Sequence, residues 1–444
     1  MKNLTQRRDA RRESSETSWS RDERKPTLRP RVFFFICVLC ASACDPLLCI
    51  ADDWPQWRGP RRDGVATGFK LPAAWPTGEL KPVWKIALGD GYSSPVIVGG
   101  KLFTHDREGD DEFVYCLDAA TGKQIWRFGY PAPYKMHDAA LGHGLGPKAT
   151  TTVSAGRVYA FGISSILTCL DADTGKPVWQ HDLKTEYGAG PAEFGTAGSP
   201  LLDGSLVIVP VGGKKGGSVM AFHAKDGSHA WTAVPNEKPS FSSPIAAELG
   251  GVRHILTFTQ KSFVGLDARN GKVLWKYSFT TDYDQNTVTP AVVGDIVIAS
   301  GVSRFAFALK VEKSGNGVKM SEVWKNRDQR TYMSSPVVVG EHVYGLGGEG
   351  AMVCVNIATG KTNWKGGEFG EYCSVVVAGD RLLILDTAGQ LTVVNADPTS
   401  YRELGRSRVS AGKSWSHLAL VGSRIFVRDR QNLACFELDA SRAQ

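Results

Sequence analysis

The chain has 444 residues, of which 42% are hydrophobic and 22% charged, a balance that is typical of a folded protein and excludes an intrinsically disordered one. Much of its net charge of +7 comes from residues 1–51, which hold ten Lys or Arg and six Asp or Glu. The remainder is nearly neutral and lacks a basic stripe with interleaved aromatic residues, so nucleic acid is not an expected partner.

Residues 1–51 have the features of an export signal. Arg7, Arg8, Arg11 and Arg12 precede an apolar run at residues 32–40, and the small residues that follow fit a cleavage site. The alternative is a single membrane anchor that is retained, which would give the protein its only membrane contact. In both cases we expect an exported protein, periplasmic or associated with the cell envelope of a bacterium.

The cysteines outside the signal region follow a pattern. Cys116, Cys169 and Cys354 each lie ten residues before a tryptophan, and Cys435 takes the same place in the last repeat. Equivalent positions of different repeats are too far apart for a disulfide. We therefore expect buried, unpaired cysteines, including Cys373, which has no obvious partner.

A strand-rich repeat accounts for most of the chain. Its frame, Asp-x-x-Thr-Gly-Lys-x-x-Trp, is complete at residues 118–126 and returns in variants that end at Trp179, Trp231, Trp275, Trp324 and Trp364. Most copies open on a small residue followed by proline, as at Ser94-Pro95. From Trp84 onward the tryptophans are 42, 53, 52, 44, 49 and 40 residues apart, the length of one four-stranded propeller blade.

The two ends of the repeat array complement each other. The last copy stops before a fourth strand, and the missing strand is present at residues 82–86, around Trp84. A strand from the start of the chain that completes the last sheet would hide two exposed edges. The sequence therefore predicts an all-β, eight-bladed β-propeller at 82–440, closed by an N-terminal strand, after an extension at 52–81. Seven blades are the alternative, because the copy at 373–409 lacks both Gly-Lys and Trp.

The Asp-x-x-Thr-Gly-Lys-x-x-Trp frame resembles the pyrroloquinoline-quinone (PQQ) repeat. That family includes quinoprotein alcohol dehydrogenases and the non-enzymatic outer-membrane assembly lipoprotein BamB. The stretch at residues 53–64, Asp-Trp-Pro-Gln-Trp-Arg-Gly-Pro-Arg-Arg-Asp-Gly, is similar to the mature start of stand-alone exported propellers of this family. The resemblance implies the fold and leaves the activity open, because function resides in sites carried by folds.

A quinoprotein site would contain PQQ and Ca²⁺, an aspartate base and a vicinal cysteine pair. The chain has no Cys-Cys pair. Its closest counterpart is the segment 282–286, in which Asp282 or Asp284 resembles the catalytic aspartate and Asn286 is a candidate metal ligand. The alternative is a polar loop whose Asp and Asn residues serve turn geometry.

Other polar residues fall where sheets are expected to connect, and they are candidates for the lining of the channel mouth or for cofactor binding: Lys148, Gln260, Lys261 and Arg327. The segment 212–217 reads as a hairpin tip. Hydrolase and protease motifs are absent from the sequence.

The sequence therefore favours a non-catalytic scaffold of the cell envelope, with a role like that of BamB, whose channel mouth binds a protein or a small molecule. The alternative is a PQQ- and calcium-dependent alcohol or sugar dehydrogenase.

Overall fold

Short strands joined by tight turns form eight four-stranded antiparallel meanders in the computed structural model, which describes residues 53–189, 194–211, 217–302 and 304–438. The predicted export signal and residues 212–216 of the predicted hairpin tip lie outside the described residues. The strands of the first four sheets are as follows. Sheet 1 has Val96–Val98, Lys101–Glu108, Asp111–Asp118 and Gln124–Pro131; sheet 2 has Thr152–Ser154, Arg157–Phe161, Ile166–Asp171 and Pro177–Asp182; sheet 3 has Leu201–Asp203, Leu206–Pro210, Val219–His223 and His229–Ala233; sheet 4 has Ile245–Leu249, Val252–Phe258, Ser262–Asp267 and Val273–Ser278.

The other four sheets continue in chain order. Sheet 5 has Ala291–Val293, Ile296–Ala299, Ala306–Ser314 and Gly317–Asn326; sheet 6 has Val337–Val339, His342–Leu346, Met352–Asn356 and Thr362–Gly366; sheet 7 has Cys373–Ala378, Arg381–Asp386, Gln390–Asn395 and Glu403–Arg408, with Val65–Ala66 and Gly78–Glu79 added at its edges; sheet 8 has Ala419–Val421, Arg424–Arg428, Asn432–Glu437 and Trp84–Ala87. The helical segments are Leu183–Tyr187, which is α, and Asp138–His143, Asp282–Asp284 and Gly348–Gly350, which are 3₁₀.

The N-terminal strand closes the array as predicted. Trp84 pairs with Cys435 in antiparallel register, so sheet 8 combines one strand from the start of the chain with three from its end. The all-β propeller class is therefore confirmed. The copy at 373–409, which lacks the repeat's Trp, forms a complete sheet of its own, so the described residues contain eight sheets.

A polar ring around the channel joins the sheets at the start of their first strands. The backbone N–H of Ser94 donates to Thr150 Oγ1 (3.1 Å), that of Thr150 to Ser199 Oγ (2.9 Å), and that of His417 to Ser94 Oγ (2.9 Å). Further hydrogen bonds link the other neighbouring sheets: Ser199 to Ser243, Ser242 to Val288, Thr289 to Ser335, Ser334 to Cys373, and Tyr372 to Trp415. The small residue before proline thus accepts a neighbour's N–H, and proline leaves no unpaired donor beside it.

Each regular tryptophan interlocks with the turn of the following sheet. Trp126 is buried, and its Nε1 donates to Ala172 O (3.1 Å) in sheet 2. A Cβ atom on Gly175 would lie 2.6 Å from the Trp126 ring, and the φ of this glycine is +68°. Glycine is required there for both reasons. The same contact joins Trp84 with Gly122, Trp179 with Gly227, Trp231 with Gly271 and Trp324 with Gly360.

The cysteines occupy the predicted core positions. Cys116 lies directly opposite Trp126 across its strand pair, and Cys435 lies opposite Trp84. All five cysteines of the described residues are buried and free. The prediction of unpaired core cysteines is confirmed.

Sheet 7 obtains its tryptophan from the extension. In strand register, Gly405 occupies the position that Trp364 holds in sheet 6. A Cβ atom on Gly405 would lie 2.9 Å from Trp75, whose Nε1 donates to Ser407 Oγ (3.0 Å). Trp75 packs on the core that sheets 7 and 8 share, so a residue from outside the repeat fills the gap.

The strand order gives the propeller two faces. The turn face carries the hairpins between first and second strands and the Thr-Gly-Lys turns between third and fourth strands. The loop face carries the connections between sheets and those between second and third strands, and the first strands begin there.

Candidate functional site

A segment of the extension fills part of the channel. This plug, residues 54–66, pairs with first strands, which are therefore the innermost ones. Trp54 N donates to Ile97 O (2.7 Å) in sheet 1, and Val377 N in sheet 7 donates to Gly64 O (2.7 Å). Backbone edges that would otherwise line an open channel thus gain partners.

Both ends of the plug lie at the turn face. Gly99 N, in the first hairpin of sheet 1, donates to Asp53 Oδ1 (3.0 Å). Lys70 N donates to Gly422 O (2.7 Å) in the corresponding hairpin of sheet 8. The extension therefore enters from the turn face and returns to it, and the loop face is the one it leaves open.

Three side chains of the plug reach the level of the polar ring. Trp57 Nε1 donates to Thr289 Oγ1 (2.8 Å) in sheet 5. The Trp57 ring meets His417 of sheet 8 edge to face, with centroids 4.7 Å apart. One side chain thereby bridges two well-separated sheets.

Two arginines of the plug are almost completely buried. Arg62 donates to Pro200 O (2.8 Å) and Ser199 O (3.0 Å) in sheet 3, and Arg58 donates to Pro336 O (2.5 Å) in sheet 6. Sequence reasoning quoted this stretch only as a family resemblance and missed both residues. A signal was available, since two arginines among Trp, Gly and Pro are unusual in a segment with no strand pattern.

The segment 282–286 lies on the loop face, between sheets 4 and 5. Asp282 is exposed, and Asp284 Oδ2 accepts a hydrogen bond from Gln260 Nε2 (2.6 Å). The structure therefore brings together two residues that the sequence analysis selected separately, Gln260 and Asp284.

Asn286 is buried and holds the backbone of this loop. Its Nδ2 donates to Thr259 O (2.9 Å) and Gln260 O (3.3 Å), and its Oδ1 accepts from Thr281 Oγ1 (3.1 Å). These contacts use the amide that a calcium site would need. Within the described residues, no group of three or more His, Cys, Asp or Glu side chains could hold a metal ion. The residues present therefore do not fit the calcium and PQQ site of a quinoprotein.

The other predicted residues are spread over the loop face. Lys261 and Arg327 are exposed in the connections near sheets 4 and 5. Lys148 lies in the connection from sheet 1 to sheet 2, where its Nζ donates to Gly144 O (3.4 Å). Burial lowers the pKa of Lys148 to about 8, and the charges of Asp90 and Glu112 oppose that shift.

A fully buried polar cluster lies next to Lys148. The Tyr130 hydroxyl lies 2.9 Å from Glu112 Oε2 and 3.0 Å from His105 Nε2. Burial raises the pKa of Glu112 to about 7 and lowers the pKa of His105 to about 3. Both groups therefore favour their neutral forms inside sheet 1, and this cluster was not foreseen from the sequence.

Aromatic side chains form an arc on the loop face over four successive connections. Ring centroids lie 5.0 Å apart for Tyr92 and Trp415, 4.9 Å for Trp415 and His143, 5.1 Å for His143 and Phe194, and 5.7 Å for Phe194 and Phe241. These five residues are called the aromatic arc below.

Apolar and cationic groups flank the aromatic arc. Leu141 is 58% exposed and Leu145 37%, on and beside the 3₁₀ turn Asp138–His143. Lys413 Nζ lies 3.9 Å from the centroid of the Trp415 ring. Of the large hydrophobic side chains exposed in the described residues, the other five lie on or beside fourth strands, immediately before a tryptophan or its equivalent: Val83, Ile125, Val178, Val273 and Val323. None of the helices in the described ranges is long and apolar enough to cross a membrane.

The chain is similar to two groups of proteins. It is 25% identical over 286 residues to the outer membrane protein assembly factor BamB of Yersinia pestis, covering 60% of this chain and 69% of that protein. It is also 25% identical over 372 residues to BamB of Shewanella oneidensis, covering 78% and 86%. A quinohemoprotein alcohol dehydrogenase of Pseudomonas putida is 29% identical over 160 residues, but the match covers 35% of this chain and 21% of the enzyme.

Solved structures agree on the fold. BamB of Moraxella catarrhalis superimposes with a TM-score of 0.59 at 17% identity, covering 81% of this chain and all of that one. A quinohemoprotein alcohol dehydrogenase of Comamonas testosteroni gives 0.62 at 14% identity, covering 87% and 80%. The family described as outer membrane protein assembly factor BamB matches residues 110–366 and 312–397, which is more than half of the chain. The chain belongs to this family of PQQ-repeat β-propellers.

Proposed function

We propose that this protein is a non-catalytic scaffold, exported to the cell envelope, that binds a protein partner on its loop face. The observation that carries the proposal is the aromatic arc with Leu141 and Leu145 beside it, on the face that the plug leaves open. Aromatic anchors with a polar surround are typical of protein interfaces. The relatives named as outer-membrane assembly factors support an envelope location and a protein partner.

Deleting the protein tests the proposal in the cell. If it assists envelope assembly, the deletion strain should contain altered amounts of outer-membrane proteins, measured by quantitative proteomics of the envelope fraction. An unchanged envelope proteome would count against the proposal.

A pair of substitutions tests the surface. Leu141→Asp places a charge beside the aromatic arc, whereas Ile125→Asp places one at a similarly exposed site on an outer strand, since Ile125 is 46% exposed. We expect the Leu141 variant to fail to restore the deletion strain and the Ile125 variant to restore it. Equal restoration by both variants would exclude the arc as the partner surface.

Quinoprotein dehydrogenase activity is the competing function, favoured by the similarity to the Pseudomonas putida enzyme over 160 residues. PQQ supplies hydride acceptance from alcohols, and Asp282 or Asp284 would act as the base. Titration with PQQ and Ca²⁺, followed by quinone absorbance and dye reduction with alcohols, separates the two functions. Saturable PQQ binding with turnover would overturn the scaffold proposal.

A further inference from the structure

The plug carries two positive charges into the channel without a matching negative charge. Arg58 is 1% exposed and Arg62 is 2% exposed. Within the described residues, neither guanidinium forms an ion pair with a carboxylate. The nearest acidic residue in sequence, Asp63, is partly exposed and instead pairs with the exposed Arg61 (2.9 Å).

Protein contacts satisfy only part of each guanidinium. Backbone carbonyls accept from both, but Nε and Nη1 of Arg58 and Nε of Arg62 have no hydrogen-bond partner in the protein. Unpartnered buried N–H groups on a charged side chain are costly, so native proteins supply them with an acceptor.

The electrostatics point the same way. Burial lowers the pKa of Arg58 to about 10 and that of Arg62 to about 9, and the charge of Arg58 lowers the pKa of Arg62 further. The imidazole of His417, which Trp57 contacts, is kept neutral because burial and the charge of Arg58 hold its pKa well below the usual range. The channel therefore has a surplus of positive charge that nothing in these strands balances.

Hydroxyl groups occur on the same two sides of the channel. Thr151 Oγ1 lies next to the first strand of sheet 2, beside sheet 3, whose carbonyls bind Arg62. Ser374 Oγ lies on the first strand of sheet 7, beside sheet 6, whose carbonyl binds Arg58. Both hydroxyls are buried and have no partner in the protein. Arginine forks and hydroxyl donors are the groups that proteins use for carboxylates and phosphates.

We propose that a small oxyanion, a phosphate or a carboxylate, binds in the channel between Arg58 and Arg62 and fastens the plug. The anion accepts the free N–H groups of the two guanidinium groups and balances their charge. The site is independent of the loop-face partner surface, because it is built from the plug and the first strands.

Thermal unfolding of the full mature chain tests this site directly. Melting temperatures are compared in phosphate, in malonate and in chloride at equal ionic strength, and isothermal titration gives the affinity of each oxyanion. We expect a saturable rise with at least one oxyanion above the chloride value. A rise with phosphate alone identifies a phosphate-type ligand, and a rise with malonate alone identifies a carboxylate. No rise with either overturns the proposal.

Neighbouring arginines provide a matched pair of variants. Arg62→Gln removes a buried guanidinium, whereas Arg61→Gln removes an exposed one from the next position, with 65% of that side chain exposed. The rise should persist in the Arg61 variant and disappear in the Arg62 variant. Equal loss or equal retention in the two variants overturns the proposal.

Arg62→Lys serves if the Gln variant does not fold. It keeps the charge but loses the planar fork, so the oxyanion should bind at least tenfold more weakly than to the unchanged protein. Unchanged affinity would again overturn the proposal.

Discussion

The turn face and the loop face of this propeller treat their charged groups in opposite ways. On the turn face, hydrogen bonds from a Thr or Ser hydroxyl lower the pKa of the repeated aspartates Asp118, Asp171, Asp226 and Asp397. On the loop face, burial raises the pKa of Glu112 and lowers that of Lys148. One face keeps its charges solvated and capped, and the other places them where their charged forms are unfavourable.

The difference separates what the repeat builds from what it supports. The turn face uses one arrangement, Asp with Thr-Gly-Lys and Trp, at most junctions between sheets. Each connection on the loop face has its own sequence, and the aromatic arc and the polar cluster occur once each. Perturbed ionisable groups concentrate at functional sites, so variation belongs to the loop face and structural support to the turn face.

Removing a regular tryptophan should have the largest effect. Trp126→Ala empties the interface between sheets 1 and 2 and removes the hydrogen bond to Ala172 O. We expect a loss of about 3–5 kcal/mol in the free energy of unfolding, as for other buried aromatic residues, measured by denaturant titration. Thr232→Ala, on an exposed part of another fourth strand, is the control and should change little. A loss below about 1 kcal/mol for Trp126→Ala would contradict the interlock.

The glycine beneath that tryptophan should have the next largest effect. Gly175→Ala combines a positive φ with a Cβ atom 2.6 Å from the Trp126 ring, and we expect a loss of about 3 kcal/mol. Gly156→Ala is its control, since it has a φ of +70° in the same sheet but nothing within 4 Å. That variant should lose about 1 kcal/mol. Equal losses would mean that backbone strain alone requires the glycine.

Glu112 should make the loop face sensitive to pH. Its pKa rises from 4.5 to about 7 on folding, so the unfolded chain releases this proton first and the folded state loses stability as the pH rises from about 4.5 to 7. Glu112→Gln removes this loss. The variant should therefore gain about 2 kcal/mol relative to the unchanged protein between pH 5 and pH 8.

Chemical denaturation at several pH values measures that gain. His105, whose pKa falls to about 3, acts in the opposite direction, since its contribution grows as the pH rises towards 6.5. It is present in both proteins and cancels in the difference. A difference that stays constant from pH 5 to pH 8 would mean that Glu112 is ionised in the folded protein.

Sequence reasoning predicted the fold from the turn-face residues because their spacing recurs. Trp84 as the closing strand and the cysteines opposite tryptophans follow from position within a repeat, without knowledge of distant contacts. Arg58, Trp75 and Glu112 could not be placed in this way, since each contacts residues far away in sequence and has no repeated counterpart. The pairing of Gln260 with Asp284 was missed for the same reason, although both residues had been selected.

Trp75 tests whether the extension truly replaces a repeat residue, and it should have the smallest of these effects. Trp75→Ala removes a partly buried ring from Gly405 and a hydrogen bond to Ser407, so we expect a loss of about 1.5 kcal/mol. Adding Gly405→Trp to this variant places the tryptophan where the other repeats carry it and should recover part of the stability, measured by denaturant titration. If the double variant is less stable than Trp75→Ala alone, sheet 7 has adapted to the external tryptophan and no longer accepts the one that its own register calls for.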